Sequence, residues 1–146
     1  MDKPKGILIF GIIEIIFTIV MIISSIFGLL LGMAYWVNSF IAIIGLIFYV
    51  LIDVIIISSF IGAIGLLKSK EWGRKTLIIT AIAFIIVKVV HLFISLILII
   101  SITGSIIASF YALLNIIPLI IYKGILIWYL SKKDIKEYFQ RTNSKI

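Results

Sequence analysis

Four fully ionisable side chains lie inside otherwise apolar stretches of this chain: Glu14, Asp53, Lys88 and Lys123. They balance in sign, and His91 follows Lys88 by three residues, one helical turn on. Carboxylates and ammonium groups in such surroundings can do two things. They can form ion pairs that fix how helices face each other. They can also form a relay or a substrate site, because ionisable groups within membrane spans mark function by default. An unpaired charge at such depth costs at least about 2.5–3.5 kcal/mol on insertion scales, so pairing or neutralisation is expected for each. Other chemistry has little to draw on. There is no cysteine and only one histidine, which argues against an ordinary transition-metal cluster. No Gly-x-Ser-x-Gly elbow and no His-Glu-x-x-His is present. Residues Gly62 to Ser69 faintly resemble a phosphate loop but lack glycine directly before Lys68 and a strand before the glycines. The chain is therefore expected to act without cofactor or metal, and not as an enzyme.

The elements that must position these groups follow from hydropathy. Of 146 residues, 64% are hydrophobic and 13% charged, more apolar surface than a soluble domain of this length can hide. The apolar stretches run over about residues 6–32, 41–67, 76–100 and 106–130. At 1.5 Å per residue, the longest reach roughly 40 Å, enough to cross a bilayer with tilt. The predicted fold is all-α, a four-helix up-down membrane bundle over residues 1–130 with a basic amphipathic tail over 131–146. Residues 33–40, with Tyr35, Trp36, Asn38 and Phe40, read as one outer turn. Residues 101–105 read as the other. Lys68–Lys75 reads as an inner loop anchored by Trp72, and Trp128 and Tyr129 mark the inner end of the last span. Pro118 predicts a kink there, with Asn115 one turn away. Ser131 is suited to cap a short helix reaching residue 140, whose Ile135, Tyr138 and Phe139 share one face and would lie on the inner leaflet.

Orientation follows from the 13 lysines and arginines. The N-terminal lead holds two, the central loop four and the tail five, while the other two turns hold none. The positive-inside rule places both termini in the cytoplasm of a multi-pass protein of the cell membrane. A cleaved leader is not expected, since the first apolar stretch is too long, contains Glu14 and precedes no small-x-small site. The basic residues flank apolar spans and do not form one soluble face, so anionic membrane lipid is the expected partner, and not nucleic acid. The residues placed to contact it are Lys68, Lys70, Arg74, Lys75, Lys132, Lys133 and Lys136.

Helical spacing then assigns faces. Gly11, Glu14, Thr18, Met21, Ser25, Gly28 and Gly32 form one stripe on the first span. Thr80, Phe84, Lys88, His91 and Ser95 form one on the third. The second carries Gly45, Tyr49 and Asp53 on one line and Ser58, Gly62 and Gly65 on another. The latter suits close packing within the chain, or against a second copy or a membrane-protein partner. Depth supplies a pairing. Glu14 and Lys123 each lie roughly 12 Å in from the inner end, Lys88 roughly 18 Å and Asp53 roughly 22 Å. Neighbours in an up-down bundle then pair Glu14 with Lys123 and Asp53 with Lys88.

The run Gly65-Leu66-Leu67-Lys68-Ser69-Lys70-Glu71-Trp72-Gly73-Arg74-Lys75 resembles the basic, tryptophan-containing loop of many small uncharacterised prokaryotic four-helix membrane proteins. The ending Trp128-Tyr129-Leu130-Ser131-Lys132-Lys133-Asp134-Ile135-Lys136-Glu137-Tyr138-Phe139 is similar to the ending of many of the same proteins. This resemblance implies the architecture and no particular activity. Glu14, with Thr18 one turn on, is also similar to the membrane-embedded glutamate of small multidrug exporters. The chain departs from those exporters in its length, its two buried lysines and its strong charge bias. The reading that results is a non-enzymatic subunit, scaffold or lipid-interacting membrane protein. The alternative is a small transporter or ion-translocating protein using Glu14, Asp53, Lys88, His91 and Lys123.

Overall fold

A computed structural model of the protein describes residues 3–35, 40–103 and 106–143. They form five helices: α1 (Lys5–Tyr35), α2 (Phe40–Leu67), α3 (Glu71–Thr103), α4 (Ile106–Ser131) and α5 (Lys133–Asn143). Residues 36–39 and 104–105 of the expected outer turns lie outside the described residues, as do the side chains of Gly28, Gly32, Tyr35, Phe40, Ser95 and Asn115. Helix α4 continues through Pro118.

Burial is inverted relative to a soluble protein. Glu14, Thr18, Ser59, Thr80 and Lys123 are buried, while Ile16, Val20, Phe27, Ile79 and Ile86 are more than half exposed. Such a surface has a solvent only in lipid. Three described stretches are long and apolar enough to cross a membrane, Lys5–Phe27, Gly45–Leu67 and Glu71–Ile94. These mark a membrane-associated protein. The corresponding stretch of α4, Ile116–Ser131, is shorter.

The charged run at the centre of the sequence is mostly helix and not loop. Its turn is limited to residues 68–70, and α3 starts five residues earlier than Thr76, at Glu71. Two features explain this. The carboxylate of Glu71 sits in the first turn of α3, where the helix dipole favours it. At the other side, α2 ends in a tight cap: the Lys70 amide donates to the Gly65 carbonyl at 2.9 Å, and the Ser69 amide to that of Leu66 at 3.0 Å. Ser69 takes the left-handed conformation such a cap requires, with φ of 54°. That conformation usually selects glycine. Here the Ser69 hydroxyl is 3.1 Å from the Tyr138 hydroxyl, which ties the turn to α5.

Consecutive helices pack on one another, α1 on α2, α2 on α3 and α3 on α4. Between α2 and α3 the backbones touch at Gly65 and Gly73. A Cβ on Gly73 would sit 2.4 Å from the Gly65 carbonyl carbon and the Leu66 amide nitrogen. Gly62 lies against Thr76 and Leu77, so both glycines of the Ser58–Gly62–Gly65 line pack within the chain. Ser58 turns away and bonds its own Val54 carbonyl.

Helix α5 docks on the ends of the other helices. Ile135, Tyr138 and Phe139 are buried in a cluster with Ile7, Ala63, Leu66, Leu77, Leu126 and Leu130. The shared apolar face expected of the tail is present, but it covers the protein's own core and not a leaflet. Each such side chain contributes about 1.5–3 kcal/mol when withdrawn from water. That drive operates at a water-facing end and is absent between helices already in lipid.

The Gly65–Gly73 crossing yields a paired prediction. Gly73→Ala is expected to destabilise the purified protein strongly, because backbone must move to admit the methyl group. Gly124→Ala, at a helical site with nothing within 4 Å of the added Cβ, is expected to leave stability unchanged or raise it by up to about 1 kcal/mol. Thermal unfolding in one detergent compares them, and equal effects would contradict the crossing.

Candidate functional site

The inner stripe of α1 carries the best-defined polar site. Glu14 and Thr18 are both fully buried, at successive turns of the face that meets α4 and α3. Helix α4 presents Lys123 to it. The Lys123 ammonium pairs with Glu14 Oε1, with side chains 1% and 0% exposed. The Tyr122 hydroxyl donates to Glu14 Oε2 at 2.8 Å. Both carboxylate oxygens therefore have a partner.

Aromatic rings surround the ammonium. Lys123 Nζ lies 4.8 Å from the Phe17 ring centre, 5.4 Å from that of Phe84 and 5.6 Å from that of Tyr122. Attraction of a cation to a ring face strengthens when water is excluded. Phe17 also meets Tyr122 at 5.6 Å and Phe84 edge-on at 6.3 Å, so three helices contribute to one aromatic wall. Thr18 does not reach the pair; its hydroxyl donates to the Ile15 carbonyl of its own helix at 2.9 Å. The Lys123 side chain ends buried among these rings.

The other expected pair is absent. Asp53 and Lys88 form no ion pair. Asp53 Oδ2 accepts the Ser25 hydroxyl of α1 at 2.9 Å, and its buried Oδ1 has no hydrogen-bond partner. Lys88 Nζ lies 5.7 Å from the Phe84 ring centre. The reason is azimuth and not depth. Ile52 and Ile56 are the α2 side chains packed with Phe84 of α3. Asp53 is one residue on, rotated by about 100°, and faces α1 instead. The His91 ring lies tilted against that of Phe48 of α2, 5.5 Å between centres. It shares with Lys88 the wall of a cavity, which Met21, Ser25 and Tyr49 also line.

Among the residues expected to contact lipid, Arg74 is misassigned. It is buried, makes a two-pronged pair with Glu71 at 2.6 and 2.8 Å, and donates to the Leu130 carbonyl at 2.9 Å. A guanidinium can satisfy a carboxylate and a helix-end carbonyl together, which a surface role would forgo. Lys68, Lys75, Lys132, Lys133 and Lys136 are exposed, and Lys70 is partly so.

Sequence reasoning missed Tyr122 and the Phe17–Phe84 wall. Tyr122 precedes Lys123 directly, and Phe17 is one turn from Glu14; a polar-tipped aromatic beside a buried charge was the available signal. No three His, Asp or Glu side chains converge as metal ligands among the described residues. What the arrangement can do is hold α1 and α4 in one rotational setting. Each Glu14 oxygen has a partner from α4. No protein family, curated protein or solved structure matches the chain.

A charge-pair cycle tests this assignment. Glu14→Gln and Lys123→Met are each expected to cost about 3–5 kcal/mol, since each strands a buried charge. The double variant is expected to cost clearly less than their sum in the same detergent unfolding assay. Strict additivity would mean that the two groups do not interact.

Proposed function

We propose that the chain is a four-span up-down membrane protein with its basic end and both termini in the cytoplasm. In this reading it acts as a lipid-interacting subunit or scaffold without chemistry of its own. Helix α4 has 26 residues, about 39 Å at helical rise, which is long enough for the fourth span.

One observation carries the reading. Every described lysine and arginine except Lys88 and Lys123 gathers at a single end of the molecule. That end is held together by Lys3 on the Leu67 carbonyl, Ser69 on Tyr138 and Arg74 on the Leu130 carbonyl. Exposed on it are Lys68, Lys75, Lys132, Lys133 and Lys136, with Trp72 and Trp128 at 49% and 62% exposure. Lys132 Nζ lies 3.8 Å over the Trp128 ring. Amphipathic rings belong at headgroup level, and basic side chains beside them meet lipid phosphates. The buried Glu14–Lys123 pair, with a partner on each carboxylate oxygen, supports a structural use of these two charges.

A second reading is a small transporter or ion-translocating protein. The partnerless Asp53 Oδ1 favours it, and flux in proteoliposomes discriminates between the two.

The test of the first reading compares anionic with zwitterionic lipid around the reconstituted protein. Changing Lys68, Lys75, Lys132, Lys133 and Lys136 to glutamine is expected to lower the preference for anionic lipid by tenfold or more at low salt, given about 1 kcal/mol per basic residue near such a surface. Arg74 is left intact because its role is internal. An unchanged preference would overturn the reading.

A further inference from the structure

A cavity of about 200 Å³ lies among α1, α2 and α3. Lys88, His91, Tyr49 and Ser24 give it polar groups, and Met21 and Ile52 give it apolar wall. From the geometry we infer that this cavity binds the carboxylate of a monocarboxylic acid, with Lys88 as its counter-ion.

The inference rests on a charge count along the chain. Six side chains are acidic. Glu14 is held by Lys123 and Tyr122, and Glu71 by Arg74. Glu137 lies with Lys133 and Arg141 on α5, and Asp134 is exposed on the same helix. Asp53 bonds Ser25 and makes no ion pair with Lys88. Asp2 lies outside the described residues, and Lys88 is about 25 Å along α3 from Glu71. Among the described residues, no carboxylate is thus placed to neutralise Lys88. A lysine in an apolar span that faces an open cavity in place of a counter-ion lacks one anion, and the cavity can admit it.

Its features select the class. A single ammonium matches a single negative charge, and a charge-assisted hydrogen bond from Lys88 to one carboxylate oxygen leaves the other for a neighbouring donor. A doubly charged phosphate would lack a second cation. A halide would leave the Met21 and Ile52 walls unused, whereas a hydrocarbon segment fills them. The volume is below that of a drug-sized pocket, so it holds the carboxylate and a few carbons. Any longer tail would leave through the opening. Asp53 is not part of the lining, and Ser25 stands at the wall with its hydroxyl turned toward it. Two sources share this chemistry, a short-chain acid from water and a fatty acid from the bilayer.

The experiment is equilibrium binding of 13C-carboxyl-labelled acetate, octanoate and palmitate to the full-length protein in neutral detergent. Methyl octanoate and chloride serve as competitors. Saturable binding of a carboxylate, resisted by the ester and by chloride, is expected. Preference for acetate identifies the aqueous source, and preference for palmitate the membrane source. Lys88→Met is expected to weaken binding about tenfold or more, the scale of one charge-assisted bond, and Lys88→Arg to retain part of it. Should Lys88→Met fail to fold, Met21→Trp, which fills the cavity and leaves Lys88 in place, is expected to abolish binding. Competition by the ester or by chloride, or binding indifferent to both variants, would overturn the inference. The five-lysine glutamine variant is expected to bind normally, so failure here is separable from failure of the surface-lipid reading.

Discussion

A charge inside a membrane must be matched, and the Glu14–Lys123 pair is where this protein does so most completely. The pair joins the first and fourth helices, which pack less closely on each other than the consecutive helices do. Long side chains bridge that gap: Glu14 with Lys123, Phe17 with Tyr122, and Phe10 with Tyr129 at 4.8 Å between ring centres. Apolar contacts offer little directional preference among lipid-solvated helices. A buried ion pair does, because any rotation that separates the charges leaves both unsolvated. Its worth is better understood as specificity of helix setting than as net stability.

The water-facing end works by different physics. There Arg74 ties the start of α3 to the end of α4, and the apolar face of α5 covers the exposed core. Withdrawal of Phe139 and Ile135 from water supplies a force that the lipid-facing length lacks. The same end carries the exposed lysines. The two halves of the molecule thus divide the work: polar pairing sets helix orientation at depth, and hydrophobic burial closes the end that meets cytoplasm and headgroups in the proposed topology.

Much of this was legible in the sequence. The long apolar helices followed from hydropathy, though not the start of α3 at Glu71, and the pairing of Glu14 with Lys123 followed from rise per residue. The same arithmetic failed for Asp53 and Lys88, because depth says nothing about rotation. Ile52, not Asp53, points at α3, and that depends on how α2 wedges between two neighbours. Arg74 looked like any other basic residue of a loop. Its burial depends on Glu71 being helical, which the density of charge in residues 68–75 concealed. The face of Ile135, Tyr138 and Phe139 could be read, but not what it covers, since a leaflet and the ends of a bundle offer an amphipathic helix similar apolar surfaces. Ser58, Gly62 and Gly65 looked equally suited to a second copy, and the crossing at Gly73 uses the two glycines internally.

The central claim is that Glu14 and Lys123 are in contact within the bilayer. Solid-state NMR measures this directly, as the dipolar coupling between the 15N of lysine side chains and the 13Cδ of glutamate in the protein reconstituted in lipid. The account predicts a strong coupling, for a nitrogen–carbon separation under about 4 Å as direct ion pairing requires, and its loss in Lys123→Met. A coupling that survives Lys123→Met unchanged, or none above that of the exposed Lys133–Glu137 pair, would contradict it.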